Sequence, residues 1–118
     1  MNRSVLLLDL AALSVSQLGE HTPNLCALAA RGQQTALVPP LGALTCPAHI
    51  SMTTGVSPAE HGIIGNGWYD RAHGRVFNWN RSNRLIEAPQ IFDVIRAHDP
   101  AARTASLLWR HTAHSGAD

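Results

Sequence analysis

Thr45 is the residue around which a reaction could be built. It stands in the run Leu44-Thr45-Cys46-Pro47-Ala48-His49. A threonine hydroxyl is a weak nucleophile at neutral pH and becomes effective when a metal ion or a base lowers its pKa. Pro47 suits the first position of a helix, because its missing N–H would have no partner there anyway. A hydroxyl at that helix start lies where unpaired backbone N–H groups and the helix dipole favour an anion. A phosphate would thus be held and attacked at one place. Downstream, Gly65-Asn66-Gly67 lets the backbone turn sharply and present the Asn66 amide. Taken alone, a threonine just ahead of a proline is a helix cap.

The order of short motifs around Thr45 weighs against the cap. Thr22-Pro23-Asn24-Leu25 is followed by Thr45-Cys46-Pro47-Ala48-His49, Thr54-Gly55, Pro58, His61-Gly62-Ile63 and Gly65-Asn66. This series resembles the type I phosphodiesterase/nucleotide pyrophosphatase family of the alkaline phosphatase superfamily, well over the first 70 or so residues and weakly beyond. The resemblance implies a metal-activated threonine that attacks phosphorus, forms a covalent phosphothreonine and is released by water on a second metal. Thr45 falls on the nucleophile and metal-ligand position. Asn66 falls on the position whose amide steadies a phosphate oxygen. The Asn66 amide and the Cys46 backbone N–H would then be donors aimed at the developing charge. The cofactors implied are divalent cations, two zinc ions, with most ligands outside this chain. The substrate implied is a small phosphate ester or a nucleotide, with diester, monoester and phosphonate left open.

One position departs from the pattern. The family's first strand ends in a metal-binding aspartate, and alignment on Thr22-Pro23-Asn24-Leu25 puts Ala11 there, before Ala12-Leu13. The nearby carboxylate is Asp9. Two residues along a strand keep one face but move the side chain by roughly 6.5 Å, so Asp9 reaches the same metal only if the strand is re-registered. An aspartate that caps a nearby loop is the alternative. His111 and His114 form a His-x-x-His pair with Asp118 close in sequence, expected to be solvated. At 118 residues the chain has the length of one small domain, and it is expected to be the amino-terminal part of a longer catalytic domain. A non-catalytic remnant or interaction module of the same fold is the competing reading.

Composition excludes several classes. The chain is 45% hydrophobic and 14% charged with a formal net charge of +1, which favours neither nucleic acid nor an anionic membrane surface. Arg71, Arg75, Arg81 and Arg84 are interleaved with Trp68, Tyr69, Phe77 and Trp79. That pattern fits a solvated hairpin with packed aromatics better than a nucleic-acid strip. No stretch approaches the roughly 18 apolar residues of a membrane helix. The amino terminus lacks the apolar core and cleavage site of a secretory signal, so the cytoplasm is the expected compartment. Cys26 and Cys46 are too few for a disulfide framework. Cys26 reads as a helix core residue and Cys46 as packing beside the nucleophile, although a helix start can lower a thiol pKa.

The positioning elements alternate. The apolar runs from Ser4 to Leu10, Thr35 to Val38 and Thr104 to Trp109 read as buried parallel strands. Helices are expected from Thr22-Pro23 to Gly32, from Pro47 to Thr54-Gly55, and from Pro89 to Pro100. The segment from Gly55 to Asn66 reads as loop, and Gly67 to Trp79 as a β-hairpin turning at His73-Gly74. The order implies an α/β fold, a mostly parallel sheet flanked by helices, in agreement with the alkaline phosphatase-like fold of the resembled family. Thr45 would then sit at a strand-loop-helix junction, where open α/β sheets keep their active sites.

Overall fold

The structure is a computed structural model that describes residues 4–40 and 42–118. The chain divides into two compact units, Met1–Val38 and Pro39–Asp118.

In the first unit the expected helix forms as α1, Pro23–Arg31, with Thr22 at its N-cap, Pro23 in its first turn and Gly32 at its C-cap. Pro23 lacks only an N–H that the first turn would leave unpaired. A short 3-10 turn, Val15–Gln17, precedes it, closed by the Gln17 side chain accepting from the Ser14 N–H at 2.6 Å. Cys26 lies on α1, half-buried, and its thiol donates to the Gly19 carbonyl at 3.5 Å.

The second unit is built around α2, Thr45–Thr54. This helix starts two residues earlier than expected, so Pro47 occupies its third position rather than its first. That placement costs nothing in hydrogen bonding, because none of the first four N–H groups has an intrahelical acceptor. Gly55 ends α2 with φ of 75°, the left-handed conformation that glycine adopts without steric penalty. A single-turn helix, α3, Pro58–His61, follows where a loop was expected. Its signal was in the sequence: Ser57 and Glu60 are a capping pair, and the Glu60 carboxylate accepts from the Ser57 N–H at 3.0 Å and from its hydroxyl at 2.7 Å.

The hairpin forms as expected. Strands β1, Gly67–Asp70, and β2, Arg75–Asn78, pair antiparallel with Gly67 opposite Asn78 and Asp70 opposite Arg75. The Asp70 carboxylate closes the turn by accepting from the His73 N–H at 2.8 Å. Beyond it lie a 3-10 turn at Asn83–Leu85 and α4, Ile91–His98, which begins two residues after Pro89.

The expected α/β class holds, and the mostly parallel sheet is not shown among the described residues. The structure is a small α/β arrangement whose sheet, among the described residues, is this two-stranded antiparallel pair. The runs 4–10, 35–38 and 104–109 form no strands. A parallel strand is made by neighbours on its hydrogen-bonding edges and by layers over both faces. Here Val5, Leu6, Leu37, Val38, Leu107 and Leu108 are exposed instead.

The core is correspondingly small. Cys46, Ile50 and Ile63 are buried together, with Trp68, Leu85 and Ile86 packed against them. Gln90, the residue before α4, ties that helix to α2, since its amide donates to the Thr53 hydroxyl at 3.2 Å.

Candidate active site

Three of the residues singled out in the sequence meet at the start of α2. Thr45 opens the helix and is half-buried, Cys46 is buried beneath it, and Asn66 approaches from the turn that leads into β1. The joining contact is a hydrogen bond of 2.9 Å from the Cys46 backbone N–H to Asn66 Oδ1. It changes the expected role of Cys46. The Cys46 N–H is engaged by Asn66 and therefore orients the amide rather than facing a ligand. The Asn66 Nδ2 donors and the Thr45 backbone N–H have no partner among the described residues. A phosphate oxygen at this helix end would meet those donors beside the Thr45 hydroxyl.

The turn that carries Asn66 is fixed by close backbone approach rather than by positive φ. A Cβ on Gly65 would come within 3.1 Å of the Gly67 carbonyl, and one on Gly67 within 3.2 Å of the Phe77 carbonyl. Both glycines therefore let the chain fold back on itself at Asn66. The Asn66 carbonyl in turn accepts from the Trp79 N–H at 2.8 Å, which anchors the turn to the end of β2.

Three histidines brace this arrangement. His49 on α2 stacks on Trp109 with ring centroids 4.2 Å apart, and its Nδ1 accepts from the Arg110 N–H at 3.3 Å. The indole N–H of Trp109 donates to the His49 carbonyl at 3.3 Å, so the 109–110 segment is held to α2 twice. His61 is fully buried, and its Nδ1 accepts from the Ile63 N–H at 3.1 Å. Its proton is thereby assigned to Nε2, which lies 3.0 Å from the Ser51 hydroxyl. Burial pushes the His61 pKa below the usual imidazole range, and the charge of His111 adds to that.

His111 departs from the solvated pair expected. It is buried, Nδ1–H donates to the Ser82 carbonyl at 3.0 Å, and Nε2 has no partner among the described residues. Burial lowers its pKa as well, with Arg110 and His49 acting in the same direction. His114 is exposed, with Nδ1 3.3 Å from the Ser82 hydroxyl. Asp118 instead receives Arg96 at 3.1 Å and the Thr104 N–H at 2.8 Å. The Cys46 thiol is held above its usual pKa by burial, partly offset by Arg110. It is packing, not a reactive thiol.

Asp9 belongs to the first unit and Thr45 to the second. Among the described residues no group of three or more His, Cys, Asp or Glu side chains is placed to hold a metal ion. Thr45 and Asp9 alone do not make a two-metal site.

The family model for type I phosphodiesterase / nucleotide pyrophosphatase matches residues 5–118. The chain belongs to that family. Members of the family are typically metal-dependent, and their fold is alkaline phosphatase-like. A Schizosaccharomyces pombe protein named as an uncharacterised pyrophosphatase/phosphodiesterase is 39% identical over 57 residues, covering 48% of this chain and 12% of its own length. A Zymomonas mobilis protein named alkaline phosphatase PhoD is 31% identical, covering 58% of this chain and 15% of its own length. The chain thus spans a small part of these relatives. No solved structure matches it.

Among the described residues no helix is long and apolar enough to cross a membrane. The arginine and aromatic strip resolves into the hairpin and its flanks: Arg75 lies over Phe77 at 4.7 Å and Arg110 over Trp79 at 4.8 Å. Arg110 was not singled out by the sequence. Its signal there was only adjacency to Trp109 and His111, and its place beside Trp79 is a product of the fold.

Proposed function

We propose that this chain carries the nucleophile segment of a hydrolase of phosphodiester or pyrophosphate bonds. The hydrogen bond from the Cys46 N–H to Asn66 Oδ1 is the observation that supports it, because it sets an amide donor beside a half-buried threonine at a helix start. In this reading Thr45 Oγ attacks phosphorus, the leaving group departs from the opposite side, and a phosphothreonine forms that water later cleaves. The Asn66 Nδ2 donors and the Thr45 N–H lie against the negative oxygens as charge develops, and such preorganised donors are the largest single contribution in many enzymes.

Divalent cations, two zinc ions by the resemblance, would supply charge neutralisation and a lower hydroxyl pKa. Thr45 and Asp9 are the proposed ligands within this chain. The described residues do not complete such a site. The substrate proposed is a small phosphate ester or nucleotide. In the whole protein the runs 4–10, 35–38 and 104–109 are proposed to be parallel strands of an alkaline phosphatase-like sheet, which would cover their exposed Val and Leu side chains.

A second reading, a relative without catalysis, is favoured by Ala11 at the position where the family pattern has an aspartate. The protein expressed from its own gene separates the two. With zinc and a chromogenic phosphodiester, the first reading expects turnover that Thr45→Ala removes. Turnover equal in both forms would refute the nucleophile, and none in either would favour the second reading.

A further inference from the structure

Asn66 is held at both ends. Its side-chain Oδ1 accepts from the Cys46 N–H at 2.9 Å, and its carbonyl accepts from the Trp79 N–H at 2.8 Å. The first bond fixes where the amide sits, yet an amide held by one oxygen can still swivel about that bond. The second fixes the backbone from which the side chain leaves, and with it the direction of the Nδ2 donors. Donors stabilise developing charge when their direction is set in advance. What holds Trp79 therefore matters to Asn66.

Trp79 is an unfavourable position for a large aromatic residue. It follows β2 with φ of 49°, a left-handed conformation that a bulky side chain keeps only where its surroundings enforce it. Core burial does not enforce it, because the residue is 44% exposed. The Arg110 guanidinium lies over its ring, 4.8 Å from the centroid, and a cation is attracted to an aromatic face at that distance. Arg110 is itself anchored on α2, since its N–H donates to His49 Nδ1 at 3.3 Å. Trp109 adds the stack on the His49 ring and the bond to the His49 carbonyl. His49 is buried on α2, one turn beyond Thr45. The contacts close a ring that runs from Cys46 through Asn66, Trp79, Arg110 and His49 and back along α2 to Cys46.

We infer that Arg110 is a positioning residue for Asn66 and acts through Trp79. The cation clamps the indole, the indole holds the left-handed backbone, and the Trp79 N–H holds the Asn66 carbonyl, so that the Nδ2 donors stay directed beside Thr45. The use of those donors rests on the reading of Thr45 and Asn66 as the phosphate site.

Amide hydrogen exchange in the 118-residue chain, followed by nuclear magnetic resonance, tests the positioning without turnover or metal. In Arg110→Gln the Cys46 and Trp79 N–H groups, whose acceptors are the two ends of Asn66, are expected to exchange about two- to five-fold faster, the scale of one exposed cation–ring contact. The Ala48 and Gly55 N–H groups, bonded along α2 to the Leu44 and Ser51 carbonyls, should keep their rates, whereas a general loss of stability would speed all four together. Arg110→Lys keeps a cation and should restore part of the protection. Arg75→Gln removes the contact over Phe77 within β2 and should leave all four rates unchanged. Trp79→Leu should speed exchange at Cys46 as Arg110→Gln does, and the two changes together should do no more than either alone. A uniform rise at all four amides, no rise at Cys46 and Trp79, or additive effects of the two changes overturns the inference. In the protein expressed from its own gene, with zinc and a chromogenic phosphodiester, Arg110→Gln should lower kcat/KM and add nothing to Asn66→Ala; a further loss in that background also overturns it. Failure of the Thr45 reading would show separately, as hydrolysis that Thr45→Ala leaves unchanged, while the exchange rates still decide the positioning.

Discussion

Replacing Asn66 by alanine should destabilise the chain and replacing it by aspartate should not, and the difference follows from one hydrogen bond. The Cys46 N–H has Asn66 Oδ1 as its acceptor, 2.9 Å away, in a residue that is almost fully buried. Asn66→Ala removes the acceptor and leaves a buried N–H without a partner, which costs about 1–3 kcal/mol. At a urea slope of roughly 2 kcal/mol/M, the middle of that range moves the unfolding midpoint down by about 1 M. Asn66→Asp keeps an acceptor oxygen at the same place and adds a negative charge at the N-terminus of α2. Such a charge stabilises by roughly 0.3–1 kcal/mol, so the midpoint should stay level or rise slightly. The same variant replaces the amide donor by a carboxylate and should repel a phosphate. Urea unfolding followed by tryptophan fluorescence reads the first effect and pyrophosphate titration the second. Equal destabilisation in the two variants would refute the positioning of Asn66 by the Cys46 N–H.

Other perturbations follow from the same geometry. Ile50 is fully buried between α2 and the turn at Ile63, so Ile50→Ala should cost about 2–5 kcal/mol in urea unfolding; a loss below 1 kcal/mol would mean that this small core is not the one holding the unit together. The pKa values of His61 and His111 are both lowered by burial, so below the usual value of 6.5 the unfolded chain takes up protons that the folded chain does not. Stability should therefore be full above about pH 6.5 and fall as the pH is lowered below it, with His61→Gln and His111→Gln each flattening the slope. The charged groups facing His61 are His111 and Glu60, and those facing His111 are Arg110 and His49. A midpoint that does not fall as the pH is lowered would contradict the assignment of both rings as neutral.

Local elements were legible in the sequence wherever a short-range rule decides them. Thr22-Pro23 and Gly32 bounded α1, Gly55 bounded α2, and the turn at His73-Gly74 bounded the hairpin, because caps and turns depend on residues within a few positions. α3 lies inside the expected loop although Ser57 and Glu60 announced it: Pro58 and Gly62, residue types that punctuate loops, are its first residue and its left-handed end. Whether an apolar run pairs into a strand was not recoverable from the run alone. A run such as Val5 to Leu8 states that a segment can be buried, not which neighbour buries it. At the site, the types and order of Thr45, Cys46 and Asn66 were readable, but the direction of the bond between Cys46 and Asn66 was not. It depends on a contact across 20 positions, set by the Gly65 and Gly67 turn. Arg110 was invisible for the same reason: its partner Trp79 is brought to it by the fold.

Trapping a covalent adduct decides whether Thr45 is the nucleophile. The protein expressed from its own gene is mixed with a phosphodiester substrate and zinc, quenched in acid and digested, and the peptides are weighed by mass spectrometry. The phosphoryl fragment is expected on the peptide containing Thr45, specifically on its hydroxyl, with no adduct in Thr45→Ala. An adduct on another residue, or hydrolysis undiminished in Thr45→Ala, would contradict the assignment of Thr45.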